Sequence, residues 1–142
     1  MQYKHVNDHS YVLAFLKGEE ALIEMISFCA REGIVNATFT GIGAVRGLSC
    51  GYYALEEKAY HFTRYDEPVE VVSLTGNIMQ KEGAPALHAH GVFTDHENRA
   101  FGGHIESMVV DVTLEVVLTV LPSEIGRVLD EDIGLFLLDC EG

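Results

Sequence analysis

The chain has 142 residues, about the length of one domain, and a hydrophobic fraction of 48%, which excludes intrinsic disorder. Nine Lys and Arg residues stand against 22 Asp and Glu residues, and the formal net charge of −13 disfavours proteins that coat nucleic acid or bind anionic membranes. No apolar run approaches the roughly 20 residues of a membrane helix. Because the N-terminus resembles no secretory signal and the three cysteines are widely spaced, we expect one domain over residues 1–142 in the reducing cytoplasm.

The first elements in the chain are a strand and a helix. Residues 10–17 are rich in strand-forming and apolar residues, and Gly18 ends the run. The acidic pair Glu19 and Glu20 then suits the first turn of a helix, and Gly33 is placed as its C-terminal cap. Apolar residues recur at helical spacing between these ends, which predicts one buried helix face: Leu22, Met25, Ile26, Cys29 and Ala30.

The rest of the chain predicts mainly strands separated by glycines and turns. The strand-like runs are residues 35–40, 48–55, 59–63, 69–79, 86–94, 108–121 and 135–138. The glycine-rich segment 41–47 fits tight turns or a bulge and lacks the helix that a phosphate-binding loop requires. A short helix is predicted within residues 123–132. The predicted fold is an α+β (α/β) domain with a mixed, mostly antiparallel sheet packed on one main helix.

Three histidines form the pattern that carries the most chemical information. His88 and His90 lie two residues apart in a predicted strand, so both point to one face with Cα atoms roughly 6.6 Å apart. Residues 95–98 (Asp-His-Glu-Asn) predict a turn, after which Gly102 and Gly103 let the returning backbone approach closely and aim His104 at the same point. Three neutral imidazoles with one open position are typical of catalytic zinc sites. The alternative interpretation is that all three are ordinary surface or polar-core histidines.

Further candidates are a carboxylate and an arginine. Glu115 lies on the polar face of the predicted strand 108–121 and is a candidate metal ligand, ligand partner or proton carrier, as is Glu106. A solvated carboxylate is the alternative for Glu115. Arg46, one of nine basic residues, is a candidate partner for an anionic ligand.

The histidine segments resemble those of the PPC family (plants and prokaryotes conserved domain), also described as PD1-like DNA-binding proteins. The resemblance rests on residues 87–90 (Leu-His-Ala-His), the acidic turn 95–99 and residues 101–104 (Phe-Gly-Gly-His). Residues 40–45 and 112–116 fall in the family's order, so the resemblance spans roughly residues 8 to 140. The family's plant members carry an Arg-Gly-Arg-Pro AT-hook that these residues lack, and of their partner-contact hexapeptide only Glu70 is unchanged.

The resemblance implies a stand-alone prokaryotic-type PPC domain that assembles as a homotrimer through sheet contacts. It also implies a divalent metal, expected to be zinc, at His88, His90 and His104. The family label suggests a DNA-binding or transcription-related role, whereas the net charge of −13 argues against direct DNA binding. Two other hypotheses stay open. One is a small metal-dependent hydrolase, lyase or isomerase assisted by Glu115 or Arg46, and the other is an assembly module whose histidines bind nothing.

Overall fold

The structure is a computed structural model that describes residues 1–140. It contains one helix and nine strands over this range, in the order β1 Gln2–Asn7, β2 Ser10–Leu16, α1 Ala21–Glu32, β3 Ala37–Ala54, β4 Ala59–Tyr65, β5 Val69–Lys81, β6 Ala84–Thr94, β7 Ala100–Val120, β8 Gly126–Asp130 and β9 Leu135–Leu138. No helix in this range is long and apolar enough to cross a membrane.

One sheet contains all nine described strands. Its main order is β1-β2-β7-β3-β5-β8-β9, while β4 pairs with β3 and β6 bridges β5 and β7. Within residues 1–140 the pairs are antiparallel except for β5 with β8, which is parallel. The prediction of a mixed, mostly antiparallel sheet is therefore confirmed.

The helix begins and ends where the sequence predicts. Glu20 is the N-cap, and its carboxylate accepts a hydrogen bond from the backbone N–H of Ile23 at 2.7 Å. The same carboxylate accepts one from the N–H of Met108 on β7 at 3.0 Å, which ties the helix start to the sheet. Gly33 closes the helix with φ of 68°, a left-handed conformation that glycine adopts without strain.

The predicted class needs correction, because strands dominate the molecule and the fold is mostly β. Residues 41–47 do not separate two strands but continue through β3, with register shifts that absorb the glycines. The helix predicted within residues 123–132 is wrong, since Gly126–Asp130 forms a strand held by β5 and β9. Strand β1 was missed because all six of its residues are exposed and show no apolar alternation.

The buried core lies along the central strands and includes side chains of the β6–β7 hairpin. Side chains from α1 and from the strands belong to one hydrophobic cluster, and its largest fully buried members include Phe15, Phe28, Phe39, Phe93 and Leu114. Asn36 is also fully buried and makes two hydrogen bonds to the backbone of Ile125, which hold the segment leading into β8. The β8–β9 hairpin is thereby fixed beside β5.

Candidate metal centre

The β6–β7 hairpin brings the three predicted histidines together. His88 and His90 alternate along β6, and His90 lies directly opposite His104 on β7 in the antiparallel register. The turn between the strands is the predicted one: the carboxylate of Asp95 accepts hydrogen bonds from the backbone N–H groups of Glu97 and Arg99 at 2.9 and 3.0 Å. Local turn chemistry therefore sets the register that places His104 beside His90.

The two glycines before His104 are required by close backbone contacts. A Cβ atom on Gly102 would collide with the carbonyl oxygen of Gly91 on β6, and one on Gly103 would collide with the carbonyl oxygen of Gly51 on β3. Strand β7 thus passes tightly between its neighbours immediately before the histidine. Glycine is the residue whose lack of a side chain allows this approach.

The imidazoles lie close enough together to share one metal ion, and one pair already has the spacing of two ligands. The Nε2 atoms of His88 and His90 are 3.2 Å apart, and ring nitrogens of all three histidines lie within 4.8 Å of one another. Two nitrogens bound tetrahedrally at 2.0–2.1 Å would be separated by roughly 3.3 Å. The pair on β6 therefore already has the spacing of two ligands.

The electrostatics of the site favour neutral imidazoles, the protonation state that binds a metal. Burial lowers the pKa of His88 to about 4, with further lowering by the nearby His104, His90 and Arg127. Burial and the neighbouring His90 also lower the pKa of His104, against an opposing effect of the Glu106 carboxylate. Both side chains thus keep their lone pairs available at neutral pH.

One ring nitrogen of the cluster is buried without a hydrogen bond within residues 1–140. The Nδ1 atom of His104 is buried and has no hydrogen-bonding partner among the described residues. Leaving such an atom unsatisfied costs about 1–3 kcal/mol, so a ligand at the cluster would be stabilising. Three imidazole donors with this spacing fit a divalent metal of the zinc type and leave one coordination position for another molecule.

A cavity of about 470 Å³ adjoins two of the three histidines. His88 and His104 line it together with Tyr60 from β4, Lys81 from β5, Arg127 from β8 and residues 134–137, most of which belong to β9. The Tyr60 ring lies 4.5 Å from the His104 ring, and burial raises the pKa of its hydroxyl. Neither motif nor spacing in the sequence links Tyr60, Lys81 and Arg127 to the histidines, so only the structure reveals these three neighbours.

The structure does not bring Glu115 and Arg46 to this cluster. Glu115 is eleven residues beyond His104 on β7, roughly 36 Å along a straight strand, and lines a groove with Ile42 and Val117. Arg46 forms an ion pair with Asp111 at 3.7 Å. Glu106 is nearer: it lines a second groove beside His104 and accepts a hydrogen bond from the Ser49 hydroxyl at 2.6 Å.

The lowered pKa of His88 predicts a pH-dependent stability of the metal-free protein. Between the unfolded pKa of 6.5 and the folded value of about 4, the unfolded chain binds more protons than the folded chain. The free energy of unfolding should therefore fall as the pH is lowered through this window. Urea denaturation at about pH 7, 5.5 and 4.5 measures the slope, which His88→Gln should reduce and His96→Gln should leave unchanged. An unaltered slope in His88→Gln would contradict this prediction.

Comparisons with known proteins agree with the fold and the family resemblance. The family model of the Plants and Prokaryotes Conserved (PCC) domain matches residues 4–122. The crystal structure of a candidate DNA-binding protein from Bacteroides thetaiotaomicron matches with a TM-score of 0.94 at 28% identity, covering 99% of this chain and 98% of that chain. A comparison with curated proteins finds no match.

Two archaeal structures are also similar. A plant- and prokaryote-conserved (PPC) protein from Pyrococcus horikoshii has a TM-score of 0.86 and 32% identity, covering 92% of this chain and 90% of that chain. A metal-containing protein from Archaeoglobus fulgidus has a TM-score of 0.85 and 32% identity, with coverages of 96% and 97%. With the family model spanning most of its length, the chain belongs to the Plants and Prokaryotes Conserved domain family.

Proposed function

We propose that this chain is a homotrimeric metal-binding protein in which His88, His90 and His104 hold one divalent metal ion, zinc in the first instance. The observation that carries the proposal is the 3.2 Å separation of the His88 and His90 Nε2 atoms, with His104 in the same group. The similar Archaeoglobus fulgidus protein is itself described as metal-containing. The half-buried His88 and His104, whose pKa values are both lowered, and the unsatisfied Nδ1 atom of His104 are consistent with a resident ion.

An exposed apolar face on the sheet supports assembly through sheet contacts. Val12, Ile42, Val72 and Val117 are each at least 40% exposed and line one groove across β2, β3, β5 and β7. Contiguous apolar surface of this kind is typical of protein–protein contacts. The trimer implied by the family resemblance would bury it.

Direct binding of duplex DNA is not part of the proposal, although a similar protein is described as a candidate DNA-binding protein. The net charge is −13, and five of the nine basic residues already pair with carboxylates: Lys17, Arg31, Arg46, Arg64 and Arg99. Affinity for duplex DNA depends mainly on cations that are free to contact phosphates. A surface with this charge pattern repels the negatively charged phosphate backbone of DNA.

A second candidate function is that of a small metal-dependent hydrolase, lyase or isomerase. The cavity of about 470 Å³ beside His88 and His104 favours it, because a substrate there would adjoin the open coordination position. A bound divalent metal supplies Lewis-acid chemistry. The chain itself offers the Tyr60 hydroxyl as a proton carrier and the Arg127 guanidinium as an anion partner, in place of the more distant Glu115 and Arg46.

Elemental analysis of untagged protein, combined with light scattering, tests the main proposal. We expect about one metal equivalent per chain. We also expect a particle mass about three times the 15.6 kDa of the chain. Protein that is metal-free and takes up no zinc on incubation would contradict the metal site. A monomeric mass would contradict the trimer.

A further inference from the structure

Some basic residues of this acidic chain form ion pairs with carboxylates, and others do not. Among residues 1–140, only Lys4, Lys58, Lys81 and Arg127 lack a carboxylate within ion-pair distance. Lys81 and Arg127 line the same cavity, the one that also contains His88 and His104. In a protein with 22 acidic residues, two such cations in one cavity are a notable concentration of uncompensated positive charge.

The guanidinium of Arg127 is held in place by neutral groups. One terminal nitrogen donates to the side-chain oxygen of Asn77 at 2.7 Å, and the other donates to the carbonyl oxygen of Phe136 at 3.1 Å. The Lys81 ammonium lies 3.8 Å from the centre of the Phe136 ring. Both cations are half-buried, and burial lowers the pKa of Arg127. The Arg127 guanidinium is thus held in one orientation, and no carboxylate in the described part of the chain neutralises the charge of either cation.

The remaining walls of the cavity are largely apolar. Leu87, Leu135 and Leu137 line it, and its volume of about 470 Å³ falls in the range of small-molecule sites. The histidines and the two cations share these walls. A fixed guanidinium, a flexible ammonium and an apolar wall together suit an organic molecule with one anionic end.

We propose that this cavity binds a small organic oxyanion whose carboxylate or phosphate group pairs with Arg127 and Lys81. Its short apolar body lies along Leu87, Leu135 and Leu137, and its other end faces His88 and His104. The part concerning the histidines rests on the proposed metal site, whereas the pairing with Arg127 and Lys81 does not. Any substrate that this cavity binds is accordingly an organic anion.

Calorimetric titration with inorganic phosphate and with butyrate tests the proposal and distinguishes the two oxyanions. Each is added to zinc-loaded and to chelator-treated protein at ionic strength matched with sodium chloride, so that general screening is constant. We expect saturable binding of at least one probe at millimolar or lower concentration, weakened roughly tenfold by Arg127→Gln and by Lys81→Gln. Lys4→Gln, which removes an exposed lysine outside the cavity, is the matched control and should bind as the parent does.

The outcomes separate this proposal from the metal site. Binding that persists without zinc and depends on Arg127 and Lys81 supports the anion site even if no metal is ever found. Absence of saturable binding by both probes overturns it, even if the protein contains one zinc per chain. Binding that Lys81→Gln and Lys4→Gln affect equally also overturns it. Lys81→Gln keeps the test decisive should Arg127→Gln unfold, since the Lys81 side chain contacts a ring but holds no backbone group.

Discussion

Replacing His104 by alanine is expected to reduce bound metal from about one equivalent per chain to less than about 0.1 after gel filtration. The change removes one of three imidazoles whose nitrogens lie within 4.8 Å of one another. The two that remain come from a single strand and do not enclose an ion. Elemental analysis of protein purified in parallel measures the difference.

Two further variants make this result interpretable. His96→Ala removes an exposed histidine from the β6–β7 turn and should retain the full equivalent. His88→Ala should lose metal as His104→Ala does, because its Nε2 atom is 3.2 Å from that of His90. Retention of one equivalent in both His88→Ala and His104→Ala would contradict the three-histidine site.

The same variants should differ in how much added zinc raises their Tm. A ligand that binds only the folded state stabilises it by about 2.7 kcal/mol at a hundredfold excess over its Kd. Added zinc should therefore raise the Tm of the parent protein and of His96→Ala, but not of His104→Ala. A chelator should lower the Tm of the parent protein to its metal-free value.

Gly103→Ala is expected to destabilise the fold by about 1–3 kcal/mol and to weaken metal retention. The added Cβ would collide with the carbonyl oxygen of Gly51, a backbone atom of β3 that cannot rotate away. Relief of the collision requires β7 to move from β3 one residue before His104. Urea denaturation gives the free energy of unfolding, and elemental analysis gives the metal content.

The control for this variant is Gly126→Ala. A Cβ at Gly126 meets nothing within 4 Å, and its backbone conformation is not one that favours glycine. Its free energy of unfolding should stay within about 0.5 kcal/mol of the parent value. Equal stability of Gly103→Ala and Gly126→Ala would show that the close approach of β7 to β3 is not required.

Local signals predicted the helix and the histidine hairpin correctly. The acidic start at Glu20 and the terminal glycine at Gly33 act within a few residues of the helix, so the sequence carries them directly. The same holds for the turn at Asp95, whose hydrogen bonds reach only to Glu97 and Arg99. A strand, a turn and a second strand then fix the pairing of His90 with His104.

Contacts between distant segments produced the differences from the sequence analysis. Residues 126–130 form a strand because β5 and β9 supply the backbone partners, and local propensity at this segment does not reveal them. The exposed strand β1 likewise exists through pairing with β2. These two strands and the unbroken β3 add to the strands that the sequence predicts, and together they make the molecule mostly β.

By itself the sequence determined the acidic charge, the helix, most strands and the convergence of His88, His90 and His104, because these depend on composition, on local patterns and caps, or on contacts within one hairpin. Only the tertiary structure decided what surrounds that cluster. The pairing of β5 with β8 places Arg127 beside His88. Glu115 and Arg46 lie elsewhere on the sheet, away from the histidines. Such neighbours are set by the packing of strands far apart in the chain, which spacing along the sequence does not encode.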